Sequence, residues 1–195
     1  MTPTTSILPS RRFGAVAIAL HWATVVLIVG LFASAWSIGL AGDGDQAALL
    51  LTVHRSLGAT TGLLAIVRLG WRLGFAAAPP LPATMSRPQQ WMAKASEYGL
   101  YALLLFQPLT GLAQTLLRGR PFQLFAWTAP RLMARDKGLA ALFHQVHAIS
   151  ALALLGLIGL HVAAALFHRF WLKDQVLQSM LPWPPAPKMI SRSRE

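Results

Sequence analysis

The chain contains no cysteine, so it forms no disulfide, holds no iron–sulfur cluster through thiolates and attaches no haem by thioether. Thiol catalysis and thiolate zinc sites are excluded with them. Acidic residues are nearly as scarce: 6 Asp and Glu stand against 17 Lys and Arg, a net charge of +11. Charged residues make up only 12% of the chain, about half the ~25% of a usual globular domain, while 55% are apolar. That balance excludes a disordered chain, which needs low hydrophobicity and high charge. Its 195 residues suffice for one domain, or two small ones at most.

What the chain does have is long uncharged runs. Gly14 to Ala41 holds no Asp, Glu, Lys or Arg, and His21 is its only ionisable side chain. That exceeds the ~20 residues needed to cross a bilayer core. A second run, 47–69, includes Arg55 and Arg68 near its ends, where long side chains can snorkel to the interface. A third, 95–117, is uncharged from Tyr98 and carries Pro108 as an expected kink. The fourth is 138–168. The expected fold is an all-α integral membrane protein, a four-transmembrane-helix bundle over 13–181. A short segment 1–12 precedes it and a proline-rich tail, 182–195, follows.

Arg11-Arg12, an apolar run and Ala33-Ser34-Ala35 also have the order of a secretory signal. The run is longer than a signal core of about 7–15 residues, so it is read as a span. Ser10-Arg11-Arg12-Phe13 matches a twin-arginine signal only in part. The prolines of 76–88 mark an irregular linker.

Basic residues set the orientation. With the N-terminus inside, the cytoplasmic segments hold Arg11, Arg12, Arg68, Arg72, Arg87, Lys94, Arg169, Lys173, Lys188, Arg192 and Arg194. Arg55, Arg118, Arg120, Arg131, Arg135 and Lys137 fall outside, which favours both termini in the cytoplasm. This distribution over membrane loops argues against nucleic acid as the partner of the +11 charge. The loop between spans three and four stands apart, with five bases and one acid, Asp136.

Histidines carry the chemistry. His21 lies near the inner start of span one and His54 near the outer start of span two. Span four carries His147 near its outer end and His161 toward its inner end. Fourteen residues separate these two, ~21 Å along a helix and within roughly 40° of one face. Each depth then has one partner on another helix, His161 with His21 and His147 with His54. Two opposed neutral imidazoles suit the axial positions of a haem iron, and filling both leaves no vacancy for oxygen. Gly58, Ala59 and Gly62, and Ala148, Ala151 and Ala153, leave space for a flat macrocycle. The competing reading is interhelical hydrogen bonding or a proton relay. His144 lacks a depth-matched partner and reads as a solvated interface residue. His168, beside Arg169, Trp171 and Lys173, reads as a quinone or proton-handling group, or as an interfacial anchor.

Several short pieces stand in order along the chain: Leu20-His21-Trp22, His54 with Gly58, Val67-Arg68-Leu69, Pro108-Leu109-Thr110-Gly111 and Gly119-Arg120-Pro121. His147, Gly159-Leu160-His161, the run Ala163 to His168, Phe170-Trp171 and Lys173-Asp174 complete the set. Together they resemble the bacterial four-helix, di-haem cytochrome b561 family. The resemblance implies two haem b per chain, with His21, His54, His147 and His161 as iron ligands. Some members act as superoxide oxidases, passing electrons from superoxide through two haems to ubiquinone. On that footing Arg118, Arg120, Arg131, Arg135 and Lys137 steer the anion, and His168, Trp171 and Lys173 lie near the quinone.

The expectation is therefore a superoxide:ubiquinone oxidoreductase of the bacterial inner membrane. Headgroup binding is the plain alternative for the basic loop. One alternative function is a cytochrome b subunit passing electrons between quinone and a partner dehydrogenase or other redox protein. Another, of a different class, is a cofactor-free transporter or assembly factor.

Overall fold

The computed structural model describes residues 12–75, 79–80 and 85–183. The segment before Arg12, most of the proline-rich linker and the tail beyond Trp183 lie outside the described residues. Four long helices dominate: α1 (Ala15–Ala41), α2 (Asp45–Gly74), α3 (Arg87–Leu117) and α4 (Lys137–Phe170). All four are long and apolar enough to cross a membrane. A two-stranded hairpin, β1 (Phe122–Leu124) and β2 (Trp127–Ala129), follows α3, and a single 3-10 turn at Gln178–Met180 follows α4. The two ends of the bundle are called the hairpin side and the strap side, after residues 122–129 and 171–183.

The connections follow from local chemistry. Only Gly42-Asp43-Gly44 joins α1 to α2, and both glycines adopt positive φ (65° and 123°), where a side chain would be strained. Near the start of α3, the Ser86 amide donates to Gln89 Oε1 at 2.8 Å, with Pro88 inside the first turn. The Asp136 carboxylate accepts from the Leu139 amide at 2.9 Å and so caps α4. α3 runs on through Pro108. A Cβ on Gly62 would come within 2.9 Å of that proline ring, so glycine permits α2 and α3 to meet there.

The packing suits a lipid solvent. Large apolar side chains such as Val26, Trp36, Leu40 and Leu63 face outward, while Thr24, Thr52, Thr61, Thr110 and Thr115 are buried. Their hydroxyls return to carbonyls one turn back, as Thr24 does to Leu20 at 2.7 Å and Thr61 to Leu57 at 2.8 Å. Small residues let membrane helices approach closely where apolar bulk gives no driving force. α1 packs on α2, α3 on α4 and α2 on α3, with no comparable packing of α1 or α2 on α4. Ala65, Leu104 and Leu154 form an apolar core with Ile28, Leu100 and Ile158 around it. Leu154 lies midway between His147 and His161 on α4, so this core separates two histidine levels.

Candidate functional site

The four histidines singled out in the sequence meet in two pairs. On the strap side the rings of His21 (α1) and His161 (α4) have centres 6.5 Å apart. On the hairpin side His54 (α2) and His147 (α4) are 6.3 Å apart. Each pair bridges the helices that backbone packing leaves apart.

The hairpin-side pair is held by hydroxyls. Ser34 Oγ donates to the Leu31 carbonyl at 2.9 Å and lies 3.0 Å from His54 Nδ1. Thr110 Oγ1 is committed to the carbonyls of Phe106 and Gln107 and lies 2.9 Å from His147 Nδ1. With each hydroxyl proton already used, the oxygen accepts from Nδ1–H. Both rings then carry a bare lone pair on Nε2. Gln107 also donates to the His147 carbonyl at 3.3 Å and to Ser150 Oγ at 2.8 Å. A Cβ on Gly111 would stand 3.2 Å from His147 Cε1, so glycine makes room for the ring.

The strap-side pair is held differently. Arg68 Nη2 lies 3.0 Å from His21 Nδ1, and a guanidinium has only donors. His21 Nδ1 therefore accepts, which puts that ring's proton on Nε2. Arg68 also lies over the Tyr101 ring, 5.3 Å from its centre. Arg68 thus turns toward a histidine, where a side chain reaching for the membrane surface was expected. α2 extends beyond the apolar run, placing Arg55 about 15 Å from its start and Arg68 about 9 Å from its end. Arg68 points at a histidine, and Arg55 lies over Phe122, 5.8 Å from the ring centre.

Ring centres 6.3 and 6.5 Å apart leave a gap of the size that one metal ion held by both imidazoles of a pair would occupy, at about 2.0–2.1 Å per metal–nitrogen bond. The hairpin-side pair also has the tautomer that ligation requires.

A cavity of about 480 Å³ opens on the hairpin side, lined by Leu117, Arg118, Gly119, Arg120, Arg135, Lys137 and Ala140. Gly119 makes this shape possible. Its φ is 62°, and a Cβ there would lie 2.6 Å from the Arg135 backbone. Four of the five bases expected to steer an anion thus share one cavity. Arg131 does not line it; its Nε donates to the Met133 carbonyl at 3.1 Å.

The model of the prokaryotic cytochrome b561 family matches residues 12–183. The chain belongs to that family. It is accordingly a multi-pass membrane protein of electron transfer that carries b-type haem. It is similar to "Cytochrome b561 homolog 2" of Escherichia coli, 28% identical over 88% of this chain and 92% of that protein. It is 26% identical to "Probable superoxide oxidase CybB" of Yersinia pestis, over 88% of this chain and 97% of the relative. "Cytochrome b561 homolog 1" of Escherichia coli is 27% identical over 88% and 98%.

In this cytochrome b561-family chain the three residues expected near quinone do not share one environment. His168 is buried and pairs through Nδ1 with Asp174 Oδ2 at 2.5 Å. Trp171 is 79% exposed and stacks on Phe167, and Lys173 is exposed with a φ of 53°. The strap is tied to α1: the Trp22 indole donates to the Met180 carbonyl at 2.8 Å and the Phe13 amide to the Ser179 carbonyl at 3.2 Å. His144 is exposed and bonds Gln114 Oε1 at 3.0 Å.

Reading from sequence missed Ser34, Gln107, the contact of Arg68 with His21 and the role of Thr110. The available signal was polar residues within apolar spans, and it does not say which histidine each one meets. The hairpin escaped for a plainer reason. Its two-residue turn, Phe125-Ala126, has Phe125 at φ 53°, where Gly or Asn would have marked it. The Phe125 amide donates to Ser56 Oγ at 2.7 Å, which anchors the turn on α2.

Proposed function

We propose that this protein holds two haem b groups, one between His21 and His161 and one between His54 and His147. It would carry electrons across the bacterial inner membrane to ubiquinone. The observation behind this reading is the spacing of the two ring pairs, 6.5 and 6.3 Å, at levels ~21 Å apart on α4. When bound, haem supplies reversible one-electron chemistry at each level. Ser34 and Thr110 orient their imidazoles, and such partners typically strengthen metal binding 10–100-fold. The Ala65–Leu104–Leu154 core keeps water out between the levels.

On this reading the hairpin side faces the periplasm and the strap side the cytoplasm, with both termini inside. The donor is superoxide: two superoxide anions yield two dioxygen molecules and two electrons. Those electrons, with two protons, reduce one ubiquinone to ubiquinol. The cationic cavity of Arg118, Arg120, Arg135 and Lys137 supports an anionic donor, because focused charge raises anion on-rates by about 10–10³-fold. A relative named a probable superoxide oxidase supports it too. His168, positioned by Asp174, is the proton-handling group for quinone, and the exposed Trp171 and Lys173 meet the quinone from outside.

The test is a superoxide pulse on oxidised, purified protein, followed by haem absorbance. The expected result is rapid reduction of two b-type haems per chain, slowed by added salt and by Arg135→Gln. Reduction indifferent to superoxide and salt defeats the donor assignment. One haem per chain, or none, defeats the pairing.

A further inference from the structure

Arg55 is a charge in the spanning helices that the proposed electron path leaves without a role. It follows His54 on α2, its Nε is buried, and that atom has no hydrogen-bond partner among the described residues. Arg118 and Arg120 line the cavity at the same end of the bundle, so no compensating charge comes from them. Arg55 is half-buried, and its buried, unpartnered Nε–H is stabilised when an anion meets it.

The chain offers no such anion nearby among the described residues. Of the acids on the hairpin side, Asp136 caps α4, and Asp43 and Asp45 are exposed. Ion pairs among the described residues are Arg72–Glu97, Lys94–Glu97 and His168–Asp174, all on the strap side. Arg55, next to His54 in the chain, and the cavity residues Arg118 and Arg120 thus form no ion pair with a carboxylate among the described residues. Phe122 engages only the face of Arg55. The buried Nε–H lies in the guanidinium plane and lacks an acceptor, and a carboxylate is the planar, two-oxygen group that arginine binds best.

Haem b carries two carboxylates on its rim. We propose that Arg55, backed by Arg118 and Arg120, anchors a carboxylate of the hairpin-side haem. This rests on the proposed placement of that haem between His54 and His147. The basic cluster then splits into two roles. Arg55 is matched to the resident cofactor, Arg118 and Arg120 serve both it and the cavity, and Arg135 and Lys137 on the cavity wall meet only the incoming anion. The same pairing accounts for an arginine about 15 Å inside a membrane helix.

The test uses purified holoprotein, with transfer of haem to apomyoglobin as the readout and the strap-side haem as an internal control of folding. Arg55→Gln should release the hairpin-side haem about tenfold faster or more, the worth of one charge-assisted hydrogen bond. Arg55→Lys, which keeps charge but loses the fork, should fall between. The decisive arm replaces haem by its dimethyl ester, which has no free carboxylate. Wild type and Arg55→Gln should then release it at equal rates. Release from Arg55→Gln at the wild-type rate overturns the proposal, and so does an undiminished difference with the diester. His147→Ala tests the underlying placement separately: if it leaves both haems in place, that reading fails whatever Arg55 does.

Discussion

The two histidine pairs have nearly the same ring spacing and opposite electrostatic settings. On the hairpin side both rings meet hydroxyl oxygens already donating to backbone carbonyls, so both are set with Nε2 as the acceptor. On the strap side Arg68 donates to His21 Nδ1, which places the ring proton on Nε2. Equal spacing is what supports the proposal of two sites of one kind. Unequal partners set only the hairpin-side pair, through uncharged groups, with Nδ1 protonated and Nε2 bare, whereas a half-buried cation adjoins the other. The sites are therefore expected to differ in haem affinity and reduction potential.

The largest effect expected is loss of a site. His147→Ala should leave one haem per chain, held by His21 and His161, and His161→Ala should leave the other. A haem-content assay that finds both haems in either variant removes the basis for comparing two sites.

Next come the hydroxyls. Thr110→Val or Ser34→Ala should weaken the hairpin-side haem about 10–100-fold and leave the strap-side haem unchanged. Equal weakening of both would show that the hydroxyls support the bundle rather than one ring. Conversely, Arg68→Gln should shift the reduction midpoint of the strap-side haem alone in a redox titration. A shift shared by both haems would erase the distinction.

The cavity gives a smaller, local effect. Gly119→Ala forces a side chain into positive φ, at about 1–2 kcal/mol, and against the Arg135 backbone. The superoxide response should drop while haem content stays at two per chain. The smallest effect belongs to the strap. Asp174→Asn should lower thermal stability in detergent by about 1–2 kcal/mol by weakening the contact with His168. Loss of haem in that variant would tie the strap to the cofactor site instead.

Much of this was legible in the sequence because a membrane imposes one-dimensional rules. A span must be long, apolar and internally hydrogen-bonded, so Gly14–Ala41 and 138–168 announce themselves by the absence of charge. Histidine depth follows from counting 1.5 Å per residue, and on α4 this placed His147 and His161 on one face. Arg55 and Arg68 were harder. Composition put them near the ends of an apolar run, but α2 continues past that run at both ends. Where a long, flexible side chain turns depends on its neighbours, Phe122 for Arg55 and Tyr101 with His21 for Arg68. The quinone-side grouping was less legible still, because His168 turns inward while Trp171 turns outward on the same helix end.

The sequence by itself determined four helices, their membrane character and which histidines share a depth. These follow from hydropathy and helical period, which act along the chain. Only the tertiary structure decided which oxygen or nitrogen meets each Nδ1, that four bases line one cavity, and that Phe125 turns a hairpin against Ser56. Hydrogen bonds and charge pairing act over a few ångströms between residues tens of positions apart. No period along the chain encodes them.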